Sequence, residues 1–321
     1  MKQALQQISQ PISADIVRFK DAYRMALQSD NPLLMQMVKH VINSSGKQMR
    51  PLLVLLCAQL CGKITEASIH AAVSIELLHV ASLIHDDVID ESDERRGQPS
   101  LLAKFQSKTA VLGGDYFLST ALSEAVKTRN IEVVDAIASM GKILVDGELL
   151  QLSGSKNAIY QENYYFDVIK AKTASLFCTC TKLGAITATQ YTASQLENAK
   201  KLGEAIGICF QLKDDIFDYQ EGGHIGKPVG NDIQEGKMTL PLLHVYETAN
   251  ETDKATILAA FQNKEVQKIQ QWVYEKGGMA YTQQKIEHYK EEALRYLYTF
   301  AASDTRNSIE QFILLVANRK K

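Results

Sequence analysis

The chain has 321 residues, of which 45% are hydrophobic and 22% are charged, so it is long and apolar enough to bury a sizeable core. This composition argues against intrinsic disorder, a collagen-like repeat and a small disulfide scaffold. Its 35 lysines and arginines nearly balance its 37 aspartates and glutamates, and the formal net charge of -2 argues against a nucleic-acid-binding protein.

The N-terminal residues and the cysteines indicate a cytoplasmic protein. Residues 1–17 contain no continuous apolar run after the first lysine, which argues against a secretory signal. The longest apolar stretch that we identify, residues 51–61, is shorter than the roughly 20 residues of a membrane-spanning helix, so no membrane span is expected. The five cysteines include no CxxC pair and lie in apolar stretches, as reduced thiols do.

The distribution of prolines and apolar residues predicts an all-α fold. Only six prolines occur, and residues 100–227 contain none. Apolar residues recur at intervals of three and four, as in Leu196, Ala199 and Leu202, whereas period-two alternation is scarce. No repeat, low-complexity tract or linker divides the chain, so we predict one domain over residues 1–321.

Two segments, Ala71 to Ile84 and Leu202 to Leu212, are apolar on nearly every side. This pattern predicts two central helices that are enclosed by other helices. A loop rich in glycine, proline and charge follows each of them, at residues 92–100 and 220–237. The same order, an enclosed apolar helix followed by such a loop, therefore occurs twice, and this repetition is the first indication of function.

Each central helix is predicted to end in an aspartate cluster of the form DDxxD. Positions i and i+4 share one helix face, so two carboxylates repel each other there. The C-terminal end of a helix is itself partly negative, so a cation must compensate this charge. Carboxylate oxygens favour Mg²⁺, which binds through one or two carboxylates plus substrate phosphates. The first cluster comprises Asp86, Asp87 and Asp90, and the second comprises Asp214, Asp215 and Asp218.

Two alternatives remain open at this point. A solvated helix end explains a single cluster equally well, but two clusters that each precede a basic, glycine-rich loop favour a diphosphate site. A di-iron carboxylate bundle needs ExxH pairs on facing helices. Glu76 and His79 form such a pair in a predicted helix, whereas Glu221 and His224 enclose two glycines in a predicted loop.

The chain resembles the all-trans polyprenyl diphosphate synthases over most of its length. The resemblance implies an all-α, single-domain bundle of the isoprenoid synthase type that forms a homodimer. It also implies a central active-site cavity in each subunit, with the two aspartate motifs on opposite walls. The matching stretches are SGKQMRP (45–51), LLHVASLIHDDVIDESDERRG (77–97), GGDYF (113–117), DGELLQL (146–152), KTASLF (172–177), FQLKDDIFDY (210–219) and GKPVGNDIQEGKMTLPLL, which begins at Gly226.

The resemblance also implies roles for individual residues of these stretches. All six aspartates and Lys172 belong to the catalytic set, and three Mg²⁺ ions are expected when diphosphate is bound. The implied metal ligands are Asp86, Asp90 and Asp214. The implied ligands of isopentenyl diphosphate are Lys47, Arg50, His79 and Arg96. The implied ligands of the allylic diphosphate are Arg95, Lys172, Thr173, Gln211, Lys227 and Lys237.

The reaction that the resemblance implies is head-to-tail prenyl transfer. An allylic substrate loses diphosphate, the double bond of isopentenyl diphosphate attacks the resulting carbocation, and loss of a proton completes a five-carbon extension. Two related proteins are expected to differ in sequence. A terpene cyclase replaces the second DDxxD motif by an asparagine, serine and glutamate set, and a regulatory subunit of a heteromeric synthase lacks aspartates or basic ligands.

The helix upstream of the first cluster indicates the length of the product. Ala81 and Ser82 lie five and four positions before Asp86, where relatives with short products carry an aromatic ring. The tail should pass these small residues and continue beside Leu77 and Leu78, which predicts a product of about octaprenyl length for a quinone side chain. Alternatively, the small residues only permit close helix packing.

Overall fold

The computed structural model describes residues 1–44, 46–220 and 230–319. The all-α prediction is confirmed, because most of the described residues are helical and the described strands form one two-residue pair. The helices of the first half are α1 (Lys2–Ile8), α2 (Ser13–Ala26), α3 (Pro32–Asn43), α4 (Met49–Cys61), α5 (Glu66–Ile89), α6 (Leu101–Lys127) and α7 (Ile131–Lys156), with a 3₁₀ turn at Gln10–Ile12.

The second half continues the same helical architecture. Its helices are α8 (Glu162–Ile169), α9 (Ser175–Thr187), α10 (Ala193–Tyr219), α11 (Asn231–Gln234), α12 (Leu240–Thr248), α13 (Glu251–Gln262), α14 (Val266–Glu275), α15 (Gly278–Leu297) and α16 (Asp304–Asn318).

The first central helix, α5, is enclosed as the sequence predicts. It begins with a capping box, in which the Ser68 amide donates a hydrogen bond to the Thr65 hydroxyl at 3.3 Å. Every residue from Ala71 to Leu78 is buried, and α2, α4, α6, α7 and α9 pack around the helix. Packing on all sides explains why the sequence shows no polar face.

The length of α5 corrects one expectation from the sequence. By length and composition α5 is long and apolar enough to cross a membrane, so residues 51–61 are not the longest apolar stretch. In the structure, 72% of its apolar window is buried inside the protein. A core helix of a bundle has the same character.

The second central helix, α10, packs closely on α9 and on the turn that precedes α9. Residues Lys170–Ala174 form that turn as a π-helix. A Cβ added at Gly207 would lie 2.5 Å from the Ala174 Cα atom, so only glycine permits this approach. Single π-helical turns are frequent at functional sites, and this one holds Lys172 and Thr173 beside α10.

A short hairpin follows α5. Strand β1 (Glu94–Arg95) pairs antiparallel with strand β2 (Gln98–Pro99), and Arg95 lies opposite Gln98. The hairpin folds the basic loop of the first aspartate motif back toward the end of α5.

Candidate active site

The first aspartate cluster lies at the C-terminal end of α5. Asp86 is half-buried, Asp87 is 4% exposed, and Asp90, the C-cap residue, is exposed. Burial raises the pKa of Asp86, the nearby Lys172 ammonium opposes this increase, and the Glu148 and Asp90 carboxylates reinforce it. The cluster therefore faces a cation, as its concentrated charge requires.

Asp87 is held by the hairpin that follows α5. Arg95 Nε donates a hydrogen bond to Asp87 Oδ1 at 2.8 Å, and a terminal nitrogen of Arg95 forms an ion pair with the same oxygen. Both residues line, together with Arg96, a cavity of 50 Å³. Arg95 and Arg96 thus share one cavity with an aspartate of the first cluster.

The second aspartate cluster lies in the last turns of α10. Asp214 forms an ion pair with Arg319 at 2.6 Å. The Arg319 side chain is 8% exposed, and its guanidinium carbon lies 4.1 Å from the Phe210 ring centroid. Arg319 also donates a hydrogen bond to the Phe210 carbonyl at 2.8 Å. An arginine that follows α16 therefore compensates the charge of Asp214.

Asp215 is enclosed by hydrogen-bond donors. Tyr165 Oη donates to Asp215 Oδ2, and Gln211 Nε2 donates to Asp215 Oδ1 at 2.9 Å. Burial raises the pKa of Asp215 to about 7 despite these two hydrogen bonds, and the Asp214 and Asp218 carboxylates add to the increase. A cation beside Asp215 would favour its ionised form.

Asp218 caps the short helix α11. Its carboxylate oxygens accept hydrogen bonds from the amides of Asn231 at 2.9 Å and Asp232 at 3.1 Å, and its carbonyl accepts one from Gly230 at 2.9 Å. Negative charge is favoured at a helix N-terminus, so the contact stabilises α11. Burial raises the pKa of Asp232 to about 8, and Asp218 and Asp215 reinforce the increase.

A cavity of 210 Å³ adjoins the second cluster and contains Lys172 and Lys237. Lys172 forms an ion pair with Glu148 on α7. The charge of Lys172 acts on Asp86, and the charge of Asp90 acts on Lys237. Because both lysines also line the cavity beside the second cluster, they lie between the two aspartate motifs.

Most residues that the resemblance assigns to the allylic diphosphate line this cavity. Thr173 Oγ1 donates a hydrogen bond to Gln211 Oε1 at 2.8 Å, which joins the π-helix to α10. Lys172, Thr173, Gln211 and Lys237 share the cavity. Arg95 lies in the cavity of Asp87 instead, and Lys227 lies outside the described residues.

A larger cavity, of 1020 Å³, contains three of the four residues that the resemblance assigns to isopentenyl diphosphate: Lys47, Arg50 and Arg96. The Arg50 guanidinium carbon lies 5.5 Å from the Phe177 ring centroid. Arg319 also lines this cavity, so one residue connects it to the second aspartate cluster.

Gly46 permits the observed position of Arg96. A Cβ added at Gly46 would lie 2.6 Å from Arg96 Cζ, so the guanidinium lies directly against this glycine. Arg96 Nη1 also donates a hydrogen bond to the Ser44 carbonyl at 3.3 Å. Gln48, with φ 50°, and Arg96, with φ 58°, adopt the left-handed region, which costs each about 1–3 kcal/mol. Strain of this kind is typical of a backbone held around a site.

His79, the fourth residue that the resemblance assigns to isopentenyl diphosphate, lines none of these three cavities. It is 8% exposed. Burial lowers the pKa of His79 well below its usual value, and the charges of Arg50 and Arg96 lower it further, so the imidazole is neutral at pH 7.

The residues expected to border the product tail are closely packed. Leu77, Leu78 and Ala81 are buried, and Ser82 is half-buried, with its hydroxyl donating to the His79 carbonyl at 2.9 Å. None of the four lines one of the three cavities described above. The structure therefore shows the close packing that the sequence left as an alternative.

The donor set fits a divalent cation that takes part of its ligands from a substrate. Within residues 1–44, 46–220 and 230–319, no group of three or more histidine, cysteine, aspartate or glutamate side chains could hold a metal ion by itself. Mg²⁺ needs only one or two carboxylates when phosphate oxygens and water complete its shell. Asp86, Asp90 and Asp214 can supply these carboxylates.

The polyprenyl synthetase family model matches residues 31–276. The chain belongs to this family. It is 30% identical over 310 residues to the octaprenyl diphosphate synthase of Escherichia coli strain K12, which covers 95% of this chain and 96% of that protein. The solved polyprenyl synthase from Caulobacter crescentus CB15, complexed with calcium and isoprenyl diphosphate, has a TM-score of 0.91 at 28% identity and covers 98% of each chain.

A second solved structure is more similar in sequence. The geranylgeranyl pyrophosphate synthase from Bacteroides thetaiotaomicron is 38% identical, with a TM-score of 0.85, and covers 99% of this chain and 100% of that chain. These similarities confirm the predicted family, the isoprenoid synthase fold and the enzymatic class. The polyprenyl synthetases are metal-dependent, and this chain is a trans-prenyltransferase.

Three site residues of this polyprenyl synthetase escaped the sequence analysis: Glu148, Tyr165 and Arg319. Glu148 lies in the recognised stretch DGELLQL, and Tyr165 lies in an aromatic group just before the stretch that begins at Lys172. The sequence therefore contained a signal for Glu148 and a signal for Tyr165. Arg319 carries no local signal, because its role depends on how the end of α16 packs beside α10.

Proposed function

We propose that this chain condenses isopentenyl diphosphate with an allylic diphosphate and releases an all-trans polyprenyl diphosphate of about eight isoprene units. The observation that carries this proposal is the presence of two cation-lined cavities beside two aspartate clusters. Lys172 and Lys237 line the cavity of 210 Å³, and Lys47, Arg50 and Arg96 line the larger cavity of 1020 Å³. Two such cavities fit two diphosphates.

The cavity of 210 Å³, beside the second aspartate cluster, is the proposed allylic site. Lys172, Thr173, Gln211 and Lys237 would contact the allylic diphosphate, and Arg95 and Lys227 complete the proposed set. The catalytic set is the six aspartates and Lys172. We propose Asp86, Asp90 and Asp214 as ligands of three Mg²⁺ ions. Bound Mg²⁺ supplies positive charge that offsets the charge growing on the departing diphosphate.

The residues of the chain act in the reaction through charge and shape. Lys172 and Lys237 donate N–H groups to the diphosphate as the bond between C1 and its oxygen breaks. The electron pair of the isopentenyl double bond then forms the bond to C1, and the released diphosphate accepts the proton that is lost. Tyr165 and Gln211 hold Asp215 in place during these steps.

The isopentenyl site is proposed in the larger cavity, where Lys47, Arg50 and Arg96 lie. His79 does not line this cavity, and its place as the fourth ligand is proposed from the family resemblance alone. Burial, reinforced by the charges of Arg50 and Arg96, keeps His79 neutral, and a neutral imidazole can donate one N–H group to a phosphate oxygen.

The relatives support a long product, although they do not agree on its length. The Escherichia coli relative is named an octaprenyl diphosphate synthase, and the relative from Rhodobacter capsulatus is named a nonaprenyl diphosphate synthase. The Bacteroides thetaiotaomicron structure, at 38% identity, is named a geranylgeranyl synthase, which favours a four-unit product as a second candidate. For the octaprenyl product, the tail must pass Ala81 and Ser82 and continue beside Leu77 and Leu78.

We also propose that the chain forms a homodimer. Large apolar side chains are exposed on two adjacent helices, α6 and α7, where monomeric proteins rarely leave so many. A symmetric contact with a second copy would bury them. The exposed fractions are 60% for Leu112, 62% for Val126, 78% for Ile131, 59% for Val145 and 58% for Leu149.

The proposal also covers the extent of the domain, the location of the protein and the use of its product. The whole of residues 1–321 would form one polyprenyl synthase domain. The free state of all five cysteines supports the cytoplasm as its location. The long product would supply a quinone side chain.

One assay tests the proposed function. The purified chain is incubated with Mg²⁺, isopentenyl diphosphate and farnesyl diphosphate, and the mass of the extracted product is measured. We expect an octaprenyl product that disappears when the metal is removed by a chelator. A four-unit product would select the second candidate, and no elongation would overturn the proposal.

A further inference from the structure

Glu76 is a buried carboxylate on α5 that the proposed reaction does not use. It is 6% exposed and lines both the cavity of 1020 Å³ and the cavity of 50 Å³, so it lies in the wall between them. Its Oε2 atom has no hydrogen-bond partner, and no ion pair joins Glu76 to another described residue. Burial raises the pKa of Glu76, so its ionised form is costly here and requires positive charge nearby.

The compensating charges are two arginines that line the larger cavity. Arg50 Nε is buried and has no hydrogen-bond partner among the described residues. Burial lowers the pKa of both Arg50 and Arg96, and the Glu76 carboxylate gives the largest opposing influence on each. Glu76 therefore stabilises two cations that the cavity would otherwise disfavour.

We propose that Glu76 is a positioning residue that acts through charge. It is the internal counter-ion of Arg50 and Arg96 while no substrate is bound, and it limits the affinity of their cavity for the diphosphate of isopentenyl diphosphate. This inference rests on the proposed function, because it takes the larger cavity as the isopentenyl site.

The direction of the effect follows from the contacts of the two arginines. Other groups fix them: Phe177 lies beside Arg50, whereas Gly46 and the Ser44 carbonyl lie beside Arg96. Removing the Glu76 charge therefore leaves the cations in place and removes a repulsion on the incoming diphosphate. It also leaves Arg50, whose Nε atom is buried, and Arg96 without a nearby negative charge, which destabilises the unliganded protein.

The variant Glu76→Gln tests this inference because the two effects have opposite signs. Binding of isopentenyl diphosphate is measured by calorimetry in a chelator, so that neither metal nor turnover contributes. We expect about tenfold tighter binding, the order expected for removing one like charge near the ligand. The melting temperature without ligand falls, and isopentenyl diphosphate raises it more than in the unmodified protein. In the metal-loaded enzyme, KM for isopentenyl diphosphate falls and KM for the allylic substrate is unchanged.

Glu124 provides the matched control. It is 2% exposed on α6, but it is paired with His70 at 2.6 Å and Lys127 at 2.5 Å and lines none of the three cavities. Glu124→Gln should lower the melting temperature without changing the binding of isopentenyl diphosphate. Tighter binding in this control as well would overturn the inference.

The remaining outcomes separate a wrong inference from a wrong function. If Glu76→Gln binds isopentenyl diphosphate equally or more weakly, Glu76 is structural only and the inference fails. If Glu76→Gln does not fold alone, millimolar isopentenyl diphosphate should restore its helical circular dichroism, and no restoration would also overturn the inference. If the unmodified chain elongates no substrate and Lys47→Ala does not weaken binding, the proposed function fails, and the inference fails with it.

Discussion

The first aspartate motif stands at the open end of its helix, whereas the second is tied to several other elements. In the first, Asp90 is exposed at the C-cap, and Asp86 is half-buried near Lys172. In the second, the side chains contact α8, the N-terminus of α11 and Arg319. The two motifs share the letters DDxxD and differ in what surrounds them.

Because of this difference, some substitutions should change turnover alone, whereas others should also change the free energy of unfolding. A substitution of Asp86 or Asp90 removes a carboxylate from the site and disturbs little else, whereas Asp87 is buried and paired with Arg95. A substitution in the second motif also leaves a buried partner without its counterpart: Arg319 for Asp214, Tyr165 for Asp215, and the amides of α11 for Asp218.

The largest effect is expected from alanine substitutions of the proposed metal ligands. Asp86→Ala and Asp214→Ala should each lower turnover on the order of a thousandfold, because each removes charge stabilisation from the transition state. Only Asp214→Ala should also lower the free energy of unfolding, by about 2 kcal/mol, since it leaves the Arg319 cation buried and unpaired. Steady-state kinetics and chemical unfolding measure the two effects.

Two results would contradict this contrast between the motifs. Near-normal turnover in both folded variants would remove the assignment of Asp86 and Asp214 to the metal site. Equal losses of stability in the two variants would show that the Arg319 ion pair contributes nothing that is specific to the second motif.

A second contrast concerns the residues five positions before each motif, Ala81 and Cys209. Ala81→Phe should shorten the product markedly, because a ring at this position blocks the proposed path of the tail. Cys209 is also buried, but its thiol donates to the Ile286 carbonyl at 3.4 Å, away from that path. Cys209→Val should leave product length unchanged. Mass spectrometry of the extracted products decides, and an unchanged distribution in Ala81→Phe would remove the steric argument.

The sequence predicted those parts of the fold that depend on local pattern. The central helices α5 and α10 were predicted because their apolar residues occupy every side, and the structure confirms that both are enclosed. The positions of the two aspartate clusters followed directly from this. Residues 51–61 were mistaken for the longest apolar stretch, because Ser, His and Glu residues interrupt α5 and hide its overall apolar character.

Contacts between distant segments could not be predicted in the same way. The pairing of Arg319 with Asp214 depends on the packing of α16, and the capping of α11 by Asp218 depends on where the chain returns after its loop. The π-helical turn that contains Lys172 arises where α8, α9 and α10 meet. Each of these features is a property of tertiary packing.

Burial raises the pKa of Asp215 to about 7, against an ordinary value of 3.8. Between these values the folded protein retains a proton that the unfolded chain has released. The free energy of unfolding therefore falls as pH rises through this window, by at most about 1.4 kcal/mol per pH unit. Asp215→Asn should remove this slope, so its stability relative to the unmodified protein should increase from pH 4 to pH 7.

Unfolding in metal-free buffer across this pH range measures the effect. Tyr165→Phe provides a matched variant, because it removes a hydrogen bond that lowers the pKa of Asp215. In this variant the slope should persist to higher pH. A slope that is unchanged in Asp215→Asn would show that the second motif does not carry this titration.

The smallest expected effect separates the cations from both aspartate motifs. In Gly46→Ala, the new Cβ would lie 2.6 Å from Arg96 Cζ, so the guanidinium must move away from its position in the larger cavity. We expect KM for isopentenyl diphosphate to rise about fivefold, which corresponds to about 1 kcal/mol, with kcat nearly unchanged. The control is Gly141→Ala on α7, where the nearest atom to an added Cβ is Leu78 Cδ1 at 4.0 Å. An equal change in KM in both variants, or a loss of kcat as large as that of Asp86→Ala, would show that Arg96 and the carboxylates do not act separately.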